Sequence, residues 1–398
     1  MRLFVLTPIY ATTTSNDGAT PLVHYFAKEW AALGHEVYVI HLVAQYPKFF
    51  YFVAKQFQHQ LNNLLGQVVP TEITKQYEAE YDGVKVFGFP IKKIRPHGRY
   101  RKSQLMKAAN YITHLCERLG EPDMFIGHWD NPQLDILNIL KSRFHKPVAL
   151  VLHNNDFHLE NTYGKDTKEL LANIDYLGFR SLGAKKKYEK LFGPVTNSFM
   201  AYSGVSSEFI EAGSKLKTFN QHIDSFIFIG SLIDRKHPRV IVESLRSVYV
   251  DEPFKMVYVG NGAEQKVIES ENPELIKNGQ VVFAGRIPRG DVITWLKNAQ
   301  VFVMISEREV FGLVYLESMA LGLIPIGARG EGIDGIIIDG ENGFLCNAGD
   351  GEELSLIIRK IKNKSQEELQ IISENARKTA LSFSDREVAK SYLNSICK

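Results

Sequence analysis

RLFVLTPIYATTTSNDGATPLVHYFAKEWAALGHEVYVIHLV, Arg2 to Val43, decides the fold class. RLFVLTPIY is an apolar run of strand length, and TTTSNDGA is a turn-rich loop. Leu22, Phe26 and Trp30 then recur at helical spacing until Gly34 stops the helix before VYVIHLV. Strand, helix and strand in so short a span make a βαβ unit, and its crossover requires a parallel sheet. Outward from this unit, MFIGH, PVALVLH and DYLGFRS read as further strands separated by helical stretches. After Gly204 the alternation restarts with SFIFIG, FKMVYVG, QVVFAG, QVFVMIS and LIPIGA, and Pro238 stands where a helix begins. The sequence therefore predicts an α/β protein with two Rossmann-like, doubly wound parallel sheets in series. The boundary falls within residues 200 to 223, where YSGVSSEF and GSKLKTFNQH break the pattern.

The length of 398 residues agrees with two domains, and 44% hydrophobic residues supply a core for each. A formal net charge of +2 gives no ground for binding nucleic acid. Cys116, Cys346 and Cys397 are scattered and odd in number, so neither a disulfide framework nor a zinc site is predicted, and a reducing cytoplasm fits best. Pro8 interrupts the only N-terminal apolar run, and no run of about 18 apolar residues follows, so neither a signal peptide nor a membrane span is expected. Residues 45 to 110 are less regular. YPKFFYFVAKQF clusters aromatics with lysines, and IKKIRPHGRYRK, residues 91 to 102, carries six Lys or Arg and no acid. Such a run is either a solvated loop or a contact for an anionic acceptor or an anionic membrane surface.

In open α/β sheets, ligands bind beyond the carboxyl ends of the strands, where helix N-termini present backbone N–H groups. SEREVFGLVYLESMALG, Ser306 to Gly322, lies at such an edge: QVFVMIS ends near Ser306 and VYLESMALG has helical composition. Glu309 then belongs to the loop and Glu317 to the helix. On one unbroken helix the two carboxylates would stand roughly 80° apart, whereas a loop-to-helix break folds Glu309 back over the helix start. Two acids facing one polyhydroxyl ligand explain the pattern, with the Gly312 and Leu313 amides ready for phosphate. A solvated charged loop around Glu307, Arg308 and Glu309 is the plainer reading, although Glu317 has no Lys or Arg at nearby helical spacing.

This stretch resembles the Glu, seven residues, Glu motif of retaining glycosyltransferases with the GT-B fold, in particular glycosyltransferase family 4, the glycosyl group 1 family. The match includes Phe311, Gly312, Leu313, the Leu316-Glu317 pair and the small-residue helix after them. Weaker echoes run in order along the chain: GHEVYVI, the strand ending in His128, PVALVLH ending in His153, SGVSSEF, GSLIDRK, VYVGNGAE and VVFAGRI.

The resemblance implies two domains facing across a cleft. An N-terminal acceptor-binding domain would span 1–204 and a nucleotide-sugar-binding domain 205–382, with a final helix, 383–398, crossing back. It places Glu309 at the donor sugar and Glu317 at the ribose hydroxyls. Lys236 would sit on the diphosphate, where neutralised charge makes a better leaving group. The family's arginine is replaced by Ser231 after Gly230, and Arg235 is the candidate substitute. Arg286 and Ile287 would meet the base, and His128 the sugar. Asp17, Gly18 and Ala19 form the first glycine loop, with Ala19 in place of the usual second glycine; Gly18 is assigned to the donor, and Asp17, Ala19 and His153 to the acceptor.

The implied reaction is retaining transfer of a hexose-type sugar from a nucleotide-diphosphate sugar, UDP favoured and GDP possible. The acceptor would be a hydroxyl of a saccharide or lipid-linked saccharide in bacterial cell-surface polysaccharide synthesis. Neither cofactor nor metal is expected, and the sequence has no Asp-x-Asp motif. The cytoplasmic protein would work peripherally at the inner membrane face, through residues 91–102. Three rivals keep part of this picture. A dinucleotide oxidoreductase would need the G-x-G-x-x-G that the first loop lacks, and GNGAEQ lacks its third glycine. A sugar phosphorylase or nucleotide-sugar hydrolase would share the donor site, and a non-catalytic relative would bind nucleotide sugar without turnover.

Overall fold

The computed structural model describes residues 1–11, 21–65, 72–93, 98–154, 157, 159–215, 218–219 and 222–397, without the side chains of 58–65. The chain forms two units. The first comprises Met1–Arg180, Tyr188–Ala201 and Ala389–Lys398, and the second Ser181–Lys187 and Tyr202–Val388.

In the first unit the strands are β1 (Arg2–Thr7), β2 (Glu36–Gln45), β3 (Tyr77–Tyr81), β4 (Val84–Lys92), β5 (Met124–His128), β6 (Val148–Leu152), β7 (Tyr176–Phe179) and β8 (Ser198–Met200). They form one sheet in the order β3-β4-β2-β1-β5-β6-β7-β8. The predicted βαβ unit is its centre: β1 runs parallel to β2 from Arg2↔Glu36 to Thr7↔His41, with helix Leu22–Ala32 between them. That helix buries Leu22, Val23, Phe26 and Trp30, which is what the apolar spacing asks of it. Strands β1, β5 and β6 are apolar almost throughout because helices cover both faces of a parallel sheet.

The edge strand β3 departs from the expected parallel pattern. It pairs antiparallel with β4 through a turn at Asp82-Gly83, both with positive φ. Asp-Gly between two strand-length runs is a strong hairpin signal. Strand β4 also takes Ile91 and Lys92 out of the expected basic loop, and Lys102 opens helix Lys102–Leu119.

The second unit holds β9 (Ser225–Ile229), β10 (Lys255–Val259), β11 (Val281–Gly285), β12 (Val301–Val303), β13 (Ile324–Ala328) and β14 (Phe344–Cys346), ordered β11-β10-β9-β12-β13-β14. All five adjacent pairs are parallel. Phe226, Phe228, Tyr258, Phe302 and Ile326 are among the buried residues of its core. Because the strands are parallel and neighbouring, the loops after β9, β11, β12 and β13 emerge along one edge. Every residue singled out between Gly230 and Glu317 is drawn from the loops after β9, β11 and β12 or the helix that follows β12.

Candidate active site

The loop after β12 carries the first carboxylate. Met304 to Ser306 continue the strand as buried backbone, and Arg308 adopts a positive φ that turns the chain. Glu309 then lies with Oε2 3.3 Å from Lys236 Nζ, both side chains only 14–16% exposed. Lys236 comes from the short turn Asp234–Lys236 after β9, the strand next to β12. Its ammonium also lies 3.6 Å from Met304 Sδ. Gly230 makes room for it: a Cβ there would stand 3.0 Å from Lys236 Nζ.

The Glu309 backbone is gripped from the loop after β13. Its N–H donates to Glu331 Oε2 at 2.9 Å, and its carbonyl accepts from Gly332 N–H at 2.9 Å. Glu331 in turn lies 3.9 Å from Lys187 Nζ. Gly312, in the left-handed region at φ 75°, then starts helix Leu313–Ala320. Tyr315 N–H of its first turn bonds the Gly312 carbonyl at 2.9 Å, and the Leu313 and Val314 amides stand at the positive end of its dipole. Phe311 is buried beneath them.

Glu317 sits on that helix, 3% exposed, in an ion pair with Arg289 Nη2. Burial raises its pKa and Arg289 opposes the rise. The absence of a cation at helical spacing therefore did not leave this carboxylate alone: its partner comes from the turn Arg289–Asp291 after β11. Arg235 bridges two loops, donating from Nη1 to Glu307 O at 3.1 Å while its own carbonyl accepts from Glu307 N–H at 2.8 Å. Ser231 and Arg286 are exposed and Ile287 half-buried, following β9 and β11.

In the first unit, His128 ends β5 and His153 follows the adjacent β6, so His128 Nδ1 and His153 Nε2 meet at 3.0 Å. The Trp129 ring stacks on His153 at 3.8 Å and 11°. His128 is fully buried against Phe26 and Tyr392. Burial, reinforced by Arg180, lowers its pKa to about 3. The same causes, with His128 between them in weight, hold His153 well below the usual histidine value. Both rings are therefore neutral near pH 7, one donating and the other accepting. His128 Nε2 has no hydrogen-bond partner among the described residues.

The family model for glycosyl transferases group 1 matches residues 215–379. The second unit of this chain carries a group 1 glycosyltransferase domain. An uncharacterized glycosyltransferase of Methanocaldococcus jannaschii is 25% identical over 314 residues, 77% of this chain and 83% of its own. The lipopolysaccharide core biosynthesis glycosyltransferase LpsE of Rhizobium meliloti is 31% identical over 156 residues, only 38% of this chain and 41% of that one. The crystal structure of Anabaena HepE in complex with UDP matches 100% of both chains with a TM-score of 0.68 at 16% identity. The fold is GT-B, as the resemblance implied.

The group 1 domain contains Gly230, Ser231, Arg235, Lys236, Arg286, Ile287, Glu309, Phe311, Gly312, Leu313 and Glu317, while His128 and His153 belong to the first unit. Asp17, Gly18 and Ala19 lie outside the described residues. Sequence reasoning missed Glu331, Lys187 and Arg289. The first had a signal, since ARGEGIDG follows a strand of the same edge; the other two needed the tertiary fold.

The described residues of the basic run do not form one cationic face. Arg99 holds Asp135 through Nε at 3.1 Å and Nη2 at 2.6 Å, and Asp166 through Nη1 at 2.8 Å. Lys93 is half-buried over the Tyr100 ring at 4.7 Å, and desolvation lowers its pKa to about 8. Arg95 lies outside the described residues. Lys92, Arg101 and Lys102 remain exposed.

Proposed function

We propose that the protein moves a hexose-type sugar from a nucleotide-diphosphate sugar to a hydroxyl of a saccharide or lipid-linked saccharide, with retention at the anomeric carbon and without a metal. The observation that carries this reading is the Lys236–Glu309 pair, shielded from water at the strand edge beside a helix start. A diphosphate arriving there draws the ammonium of Lys236 and the first-turn amides of the helix. Glu309, released from its cation, accepts hydrogen bonds from hydroxyls of the donor sugar. Glu317 takes the ribose hydroxyls, with Arg289 opposing the effect of its burial.

As the C1–O bond to the diphosphate breaks, its electron pair stays on the phosphate oxygen. The acceptor hydroxyl attacks C1 from the same face and passes its proton to that oxygen. His128, neutral and with Nε2 unsatisfied among the described residues, offers a hydrogen bond to sugar rather than a charge.

UDP is the favoured nucleotide, and the UDP held by HepE supports it. A role in bacterial cell-surface polysaccharide synthesis is supported by the similarity to the Rhizobium lipopolysaccharide core glycosyltransferase. The protein would act at the inner face of the cytoplasmic membrane, and no helix among the described residues is long and apolar enough to cross one.

The test is calorimetric titration with UDP, GDP and ADP in EDTA, followed by proton NMR of the anomeric configuration of the product. Binding by none of the three sinks the donor reading. Free sugar released without any acceptor would make the protein a hydrolase instead.

A further inference from the structure

Helix Lys48–Leu65 of the first unit carries the aromatic segment whose purpose the sequence left open. One side is seated: Tyr51 and Ala54 are buried, and Tyr51 Oη accepts from Tyr46 N–H at 3.1 Å. The opposite side is bare. Phe49 is 76% exposed and Phe52 64%, and Phe57, where the helix kinks, is 49% exposed, unusual values for phenyl rings. At 100° per residue, Phe49, Phe52 and half-buried Val53 share one crest, while Lys48 and Lys55 stand together on the flank beside Phe52.

The remaining exposed cations of the basic run lie at the same edge of the sheet. Gln45, three residues before the helix, pairs with Lys92 in the β2–β4 register, and its carbonyl accepts from Lys93 N–H at 2.8 Å. Tyr100, whose ring receives Lys93, leads directly to exposed Arg101. Residues 45–65 and 91–102 contain no Asp or Glu.

We propose that this face docks onto an anionic lipid surface, with Phe49, Phe52 and Phe57 entering the headgroup and acyl boundary and Lys48, Lys55, Lys92 and Arg101 meeting lipid phosphates. The charges decide the occupant. A second copy packed two-fold on the same face would set lysine against lysine with no carboxylate to meet them. The proposal rests on the lipid-linked acceptor above for its purpose, but its test does not require turnover.

Full-length protein is spun with vesicles of phosphatidylglycerol and phosphatidylcholine, and with phosphatidylcholine alone, while UDP binding is titrated in parallel. Binding to the anionic vesicles should be about tenfold tighter than to neutral ones and weaken with salt. Phe49→Ser with Phe52→Ser should lower it about tenfold and leave UDP binding unchanged. Lys48→Gln with Lys55→Gln should lower it severalfold and flatten the salt dependence. Wild-type protein left in the supernatant, or a phenylalanine variant that sediments as wild type does, overturns the proposal. So does a concentration-dependent dimer that the phenylalanine variant abolishes while vesicles are ignored. Vesicle binding without nucleotide binding would sink the donor reading and leave this one standing.

Discussion

The two units handle the chemistry of their loops in opposite ways. In the second, both carboxylates singled out for the donor are paired with a cation from another strand's loop, Glu309 with Lys236 and Glu317 with Arg289, and Glu331 holds the Glu309 amide. In the first, His128 is stripped of water and both it and half-buried His153 stay neutral against Trp129, Phe26 and Tyr392. A site that must exchange its internal counter-ion for a ligand keeps its charges paired and shielded. A site that must only hydrogen-bond has no need of charge, and burial enforces neutrality.

Breaking the first side of this contrast has the largest expected effect. Lys236→Ala should lower kcat by about 10² to 10³, the scale of losing one preorganised charge donor at a leaving group. A loss of less than about tenfold would show that Arg235 or the helix start carries the diphosphate alone. Next comes acid titration of the histidine pair. The folded pKa of His128 lies at about 3 against an ordinary value near 6.5. Within that window the unfolded chain binds the proton and the folded one does not. Its contribution to stability is therefore full above pH 6.5 and falls by up to about 1.4 kcal/mol per unit as pH drops. Urea midpoints at pH 7 and pH 5 should diverge less in His128→Gln than in the wild type; equal divergence would place the titrating group elsewhere.

Arg99→Ala sharpens the contrast from outside both sites. Breaking its bonds to largely buried Asp135 should cost about 2 kcal/mol of stability, while nucleotide affinity stays unchanged by calorimetry. If stability holds and vesicle binding drops instead, Arg99 belongs with Lys92 and Arg101 among the lipid contacts. The smallest effect belongs to Lys187→Ala. A half-exposed partner 3.9 Å from Glu331 should alter donor affinity by no more than about twofold.

How much could be read without the structure follows from what each feature depends on. The apolar strands and the helix starts are local, so the parallel alternation and the placement of Glu309 in a loop and Glu317 on a helix were legible. Pairing is not local. Arg289 lies 28 residues before Glu317, and Lys187 belongs to a segment that leaves the first unit to join the second. Only strand order brings such groups together. His128 and His153 were each legible as strand-end residues, but their contact depends on β5 lying beside β6. The β3–β4 hairpin was overlooked for a different reason. Tyr77–Tyr81 carries glutamates on the exposed side of an edge strand, and that polarity hides the alternation which the Asp82-Gly83 turn announces.

The end of the chain has one more consequence. Ala389–Lys398 belongs to the first unit, where the Ala389 carbonyl accepts from Trp30 Nε1 at 2.9 Å and Tyr392 packs on Phe26, Trp30 and Phe199. The first unit thus lacks part of its own aromatic interior until residues 389–396, which follow the whole of the second unit, have been made. Removing Tyr392 would leave an unfilled slot between Phe26, Trp30 and Phe199.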